Sequence, residues 1–136
     1  MALTDSFKQT KDTYWVVVDV DEDGKEMKFE LAYLSGTNKK LARLTAEMQK
    51  PYRRLIDAGK MPEKLADELA MKVFVRGVLV GWENVIVKTG QLPLEYNEDN
   101  AMMLFKELPE LLQLLMLQST NFENFKNTEN EGAAKN

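Results

Sequence analysis

Tyr14-Trp15-Val16-Val17-Val18-Asp19-Val20-Asp21-Glu22-Asp23-Gly24-Lys25-Glu26-Met27-Lys28-Phe29-Glu30-Leu31 decides the class of this fold. β-Branched and aromatic side chains crowd its first third. Met27, Phe29, Leu31 and Tyr33 then alternate with polar or small neighbours, the period of two that a half-buried strand requires. Between the two runs, Asp21-Glu22-Asp23-Gly24 ends in Asp-Gly, which supplies the positive φ angles of a tight hairpin connection. An antiparallel hairpin is therefore predicted over about 14–34.

Outward from the hairpin the periodicity becomes helical. Ser35-Gly36-Thr37-Asn38 breaks the strand and offers capping oxygens, so a helix is expected to start near Asn38. Leu41, Leu44, Met48, Tyr52, Leu55 and Ile56 recur at three- and four-residue spacings and give it one apolar stripe. Pro51 removes a backbone donor and predicts a kink or two shorter helices, with Gly59 ending the second. Pro62 and Glu63 open the next helix, expected to run to about Val80, with Gly77 and Gly81 one turn apart for close packing. Val85 to Leu92 is compatible with a short strand and turn. Asn97 caps a helix from Glu98, Asp99 adds charge to its first turn, and Pro109 opens a last helix to about Lys126. The fold class that results is α+β, mainly α: an N-terminal β-hairpin followed by a bundle of about four to five helices. One domain is expected over 1–126, its helical part over about 38–126, with a flexible polar tail over 127–136.

Composition narrows the chemistry. The chain has 136 residues, no histidine and no cysteine, so a Ser-His-Asp triad, a thiol nucleophile and an ordinary structural zinc site are all unavailable. Neither a Gly-x-Gly-x-x-Gly nor a Walker-type lysine loop is present to cradle a phosphate. The expectation is a protein that is not an enzyme and needs no cofactor. A net charge of -4 and a pI near 5.0 disfavour nucleic acid as the main partner. The basic residues Lys39, Lys40, Arg43, Lys50, Arg53 and Arg54 gather within one predicted helix, where a solvated polar face explains them. The Leu111–Leu117 run falls far short of the roughly 20 apolar residues a bilayer helix requires, so no membrane partner is expected. The start of the chain lacks the basic-then-apolar layout of a secretory signal, which favours a cytoplasmic setting.

Three features compete as sites. Asp19, Asp21, Asp23, Gly24 and Glu30 satisfy the spacing of an EF-hand calcium loop, though strands rather than helices flank it and Glu26 stands where an apolar anchor belongs. Trp82, Glu83 and Asn84 combine an aromatic face with polar groups that can grip a small molecule, but a helix end that closes the core is the reading favoured for them. The third is apolar surplus. Phe105, Leu108, Leu112, Leu115, Phe122 and Phe125 exceed what one buried face needs once Leu111, Leu114 and Leu117 are added on other sides of the helix. Leaving several such side chains wet costs roughly 1.5–3 kcal/mol each, which association recovers.

A series of short motifs points further. Lys50-Pro51-Tyr52-Arg53-Arg54, Ala58-Gly59, Val80-Gly81-Trp82-Glu83-Asn84-Val85, Leu92-Pro93-Leu94-Glu95-Tyr96, Glu98-Asp99-Asn100, Leu104-Phe105, Leu108-Pro109-Glu110-Leu111, Asn121-Phe122 and Phe125 follow one another in an order that resembles the tail assembly chaperones of long-tailed bacteriophages. The resemblance spans about residues 36 to 126. It implies a protein that coats the long tape measure protein, keeps it soluble and helps recruit tail tube subunits. It further implies self-association, a frameshifted longer form of the same chain as a partner, work in the host cytoplasm and absence from the mature virion. Trp82, Phe105, Leu112, Leu115, Phe122 and Phe125 are the positions expected to meet the partner. A calcium-binding interaction protein using the Asp19 to Glu30 loop, or a helical regulator of a host factor, are the alternatives.

Overall fold

A computed structural model describes residues 2–126. A single helical turn, α1 (Leu3–Ser6), lies where no periodicity predicts one. The hairpin follows as β1 (Thr13–Val20) and β2 (Glu26–Ala32), paired antiparallel from Thr13↔Ala32 to Val20↔Glu26. Gly24 takes a φ of +81° in the turn. The Asp21 carboxylate accepts from the Asp23 and Lys25 amides at 2.9 and 2.8 Å, so the acidic run is spent on making the turn.

Among the described residues five helices come after the hairpin, interrupted by one strand that periodicity misses. Asn38 caps α2 (Lys39–Gln49) by accepting from the Leu41 amide. Pro51 stands in a 3-10 turn (Lys50–Tyr52) that leads into α3 (Arg53–Asp57), as the proline demands. Gly59, at φ +67°, ends α3 in a Schellman motif: its amide donates to the Ile56 carbonyl and that of Lys60 to the Leu55 carbonyl. Helix α4 (Glu63–Gly77) stops three residues before the expected Val80, and Leu79–Glu83 forms β3 instead.

Strand β3 completes a three-stranded antiparallel sheet in the order β1-β2-β3. Its register runs Glu83↔Lys28, Trp82↔Phe29, Gly81↔Glu30 and then Leu79↔Leu31, which leaves Val80 as an extra, bulged residue. The bulge lets Leu79 and Trp82, three apart, both point inward, while Val80 stays exposed. Helix α5 (Glu98–Glu107) starts at the Asn97 cap, whose side chain accepts from the Asn100 amide. The Arg76 guanidinium grips the Glu98 carboxylate through Nε and Nη2, and that hydrogen bond holds the Glu98 pKa below the usual carboxylate range. Helix α6 (Pro109–Thr120) opens on its proline but ends earlier than expected. Asn121 turns extended and its side chain caps a 3-10 turn over Phe122–Phe125.

The inner face of the sheet, through Val16, Phe29, Leu31, Leu79 and Trp82, closes on Phe74, Leu104, Phe105 and Leu115 from the helices and on Val78 from the turn between α4 and β3. The outer face carries Trp15, Val17, Lys28 and Glu83, with the Lys28 ammonium over the Trp15 ring. Close approach is required at Gly77, where a Cβ would stand 2.8 Å from methyl groups of both Leu41 and Leu44. The other glycine of the expected pair, Gly81, lies in β3 with open space above it. For Gly77→Ala the overpacking cost of about 1–3 kcal/mol outweighs a helix-propensity gain of at most about 1 kcal/mol. A lowered urea midpoint is expected.

Candidate functional site

Each residue singled out for partner contact occupies a definite place, and most of those places are interior. Phe105, Leu115 and Phe125 are fully buried and Trp82 nearly so; Leu112 is half-buried against the core. Phe122 lies between the rings of Phe7 and Tyr33, at centroid distances of 6.4 and 6.0 Å. Phe125 packs on Tyr33 and Tyr14, and its carbonyl accepts from the Thr10 and Lys11 amides. These two phenylalanines fasten the N-terminal segment to the end of the chain. The surface grease of α6 belongs instead to Leu114 and Leu117, which are 41% and 68% exposed. The reason is angular: Leu115 and Ser119, one turn apart, face the sheet, and positions 114 and 117 fall on the opposite side.

Trp82 has a structural task. Its indole Nε1–H donates to the Leu94 carbonyl at 2.8 Å, and its ring meets Phe29 and Tyr96 edge-on at 5.8 and 5.0 Å. The Leu94 amide donates to the Val85 carbonyl at 2.7 Å, and the Tyr96 hydroxyl donates to the Leu79 carbonyl at 3.2 Å. The Gly81–Val85 and Leu92–Tyr96 motifs thus exist to clasp one another. Between them lies a turn at Lys88–Gln91, with Gly90 at φ +86°, and no strand. Asn84 follows a strand, not a helix, and takes the left-handed φ of +55° that asparagine tolerates.

Burial raises the Tyr96 pKa above 10.0, with the Glu30 carboxylate adding to the effect. The unfolded tyrosine therefore loses its proton first as pH climbs, and the stabilisation present below pH 10 fades above it. Thermal unfolding temperatures between pH 9 and 11 are expected to fall for the wild type, and less steeply for Tyr96→Phe.

The calcium loop does not assemble. Strands flank it, the Asp21 carboxylate is held by backbone amides, and Glu30 sits four residues into β2, about 13 Å along the strand from its first residue. There the Glu30 carboxylate accepts from the Thr13 hydroxyl at 2.7 Å. Among the described residues no group of three or more His, Cys, Asp or Glu is placed to hold a metal. None of their helices is long and apolar enough to cross a membrane.

What remains open is a groove of about 590 Å³ between the α2–α3 arm and α4. Ile56 and Gly59 form one wall and Ala66, Leu69, Ala70 and Val73 the other, with Leu34 and Met116 at the floor and Thr45 and Gln49 as the polar exceptions. A second lobe of about 460 Å³, bordered by Leu41, Ala42 and Ala46, shares Leu34, Thr45 and Gln49 with the first and lengthens the trough. The groove lies beside the stretch where Pro51 separates α2 from α3 and Gly59 ends α3. Its residues come from five separated stretches, so periodicity alone cannot find it. The sole signal in the sequence is the run of small residues Ala58, Gly59, Ala66 and Ala70 beside large apolar ones.

A small α+β domain with an elongated apolar trough between helices is a module suited to receiving an apolar helix or peptide. A family model described as "YdaY prophage protein" matches residues 36–136, and the chain belongs to that family, which makes it a phage-related protein. No curated protein and no solved structure matches it.

Proposed function

We propose that this prophage protein is a tail assembly chaperone, which takes apolar helical stretches of the tape measure protein into the groove between α2–α3 and α4. The observation that carries this reading is the groove itself: about 590 Å³, open, and lined mostly by apolar side chains. An amphipathic helix laid into such a trough hides its apolar stripe from other copies of itself, which is what a long, self-adhesive client needs before a tail tube grows round it. Prophage membership and the order of motifs from Lys50 to Phe125 support the same reading. In this account the chain acts in the host cytoplasm without a cofactor or catalytic step, recruits tail tube subunits, works beside a frameshifted longer form of itself and stays out of the finished virion.

Ala70 tests it, being exposed and on the groove wall. Co-expression with the longest helical protein encoded by the same prophage is expected to keep that client soluble, and Ala70→Glu to abolish the effect with the circular dichroism spectrum unchanged. A client that precipitates equally with and without the wild-type chain removes the proposal.

A further inference from the structure

A second apolar cavity, of about 290 Å³, opens between the hairpin, the loop after β3 and the elbow where α5 meets α6. Phe29, Val85 and Leu104, all buried, form its floor, and Leu108, 42% exposed, stands at its mouth. Two carboxylates, Asp19 and Glu110, belong to the lining, and no cation among the described residues does. The cavity shares no lining residue with the groove between α2–α3 and α4, which itself has no charged lining residue.

Asp19 reaches this cavity through an irregularity of the hairpin. Along β1, Val16 is buried while Trp15 and Val17 face outward, so strict alternation would turn Asp19 outward with Val17. The register shifts instead: Val17 pairs with Lys28, Asp19 pairs with Met27, and Val18 is the extra residue of a bulge. Residues directly opposite in an antiparallel pair share a face, and Met27 packs on the core, so the bulge brings Asp19 to the inner side. Its carboxylate accepts from the adjacent Val20 amide at 2.8 Å. Neither Asp19 nor Glu110 has an ion pair among the described residues. An acid that served solubility alone would need no bulge to aim it.

We propose that this cavity is an anchor site for a partner polypeptide, which inserts one aliphatic or aromatic side chain and places a lysine or arginine against Asp19 and Glu110. Size selects the class of ligand. At about 290 Å³ the cavity falls just under the roughly 300–1,000 Å³ of sites that enclose a drug-sized molecule, and it suits one large side chain. Charge selects what stands beside that side chain. Two carboxylates without a cation of their own, at the edge of an apolar hole, repel an acidic segment and pair with a basic one. On a helical partner the two groups lie three or four residues apart, on one face. The inference goes beyond the reading of the groove as a client site and stands without it, because it concerns a different cavity and a different requirement on the partner.

Titration of the isotope-labelled full chain with an alanine-based helical peptide, carrying one leucine and an arginine four residues on, tests this by amide chemical shifts. Shifts are expected at Val18, Asp19, Val85, Val87 and Leu111, and not at Ile56, Ala66 or Val73 in the groove. Asp19→Asn and Glu110→Gln are each expected to weaken binding about two- to fivefold, the range of an exposed ion pair. The double variant Asp19→Lys, Glu110→Lys is expected to reverse the preference and take a glutamate peptide over the arginine one. Ala70→Glu, in the groove, is expected to bind the arginine peptide as the wild type does, so failure of the chaperone reading leaves this result untouched. The inference is overturned by an absence of shifts at millimolar peptide, by shifts in the groove instead, or by equal binding of the arginine and glutamate peptides to the wild type. Displacement of the peptide by butylamine makes this a small-molecule site and overturns it too, as does movement of the same amides when the free protein is diluted, which assigns the cavity to a second copy.

Discussion

Trp82→Ala is expected to cost about 3–5 kcal/mol, the range for removing a large buried aromatic. Three losses combine. The cavity opens between Phe29 and Tyr96, the edge-on contacts to both rings go, and the Leu94 carbonyl loses its donor. Trp82→Phe keeps most of the volume and forfeits the hydrogen bond, worth about 1 kcal/mol with a further cavity term. Urea denaturation followed by far-ultraviolet circular dichroism gives both values. A cost below that of the hydrogen bond alone, in the alanine variant, means that the Leu92–Tyr96 segment is not held by the indole. Amide exchange in residues 85–96 is expected to accelerate in the same variant before the helices are affected.

Leu115→Glu is expected to abolish cooperative folding. The side chain is fully buried between α6 and the sheet, with no cation near enough in that apolar shell to pair a carboxylate. An isolated buried charge costs several kcal/mol, and the lost leucine contacts add about 2–5 kcal/mol more, together comparable to the 5–15 kcal/mol that holds a domain together. Leu117→Glu, two residues on, is expected to change the unfolding free energy by less than about 0.5 kcal/mol, as a surface substitution does. The pair is a sharp check on the rotation of α6. Equal behaviour of the two variants in thermal melts contradicts the assigned faces.

Those two leucines also explain which parts of the fold were legible beforehand. The hairpin, the cap at Asn38, the break at Pro51 and the starts at Asn97 and Pro109 each depend on a local signal within a few residues, and each appears where expected. Strand β3 does not. Val78-Leu79-Val80-Gly81-Trp82 continues the apolar spacing of α4, and what makes it a strand is a partner, β2, about fifty residues earlier. The same holds for the site. Around Leu111–Leu117 apolar residues point in every direction, so only docking against the sheet decides that Leu115 is core and Leu117 is surface. Phe122 and Phe125 looked like surplus because their partners, Phe7, Tyr14 and Tyr33, belong to the other end of the chain.

The placement of β3 in chain order has a consequence for biosynthesis. Phe29 emerges from the ribosome well ahead of Trp82, its cross-strand neighbour. At about 5–20 residues per second the inner face of the nascent hairpin waits roughly 3–10 s for its cover. During that interval Met27, Phe29 and Leu31 are bare, and completion of the sheet is a late event with high contact order. Slowing translation ahead of codon 79 should therefore lower the yield of native protein, whereas a slow stretch beyond codon 126 should leave it unchanged.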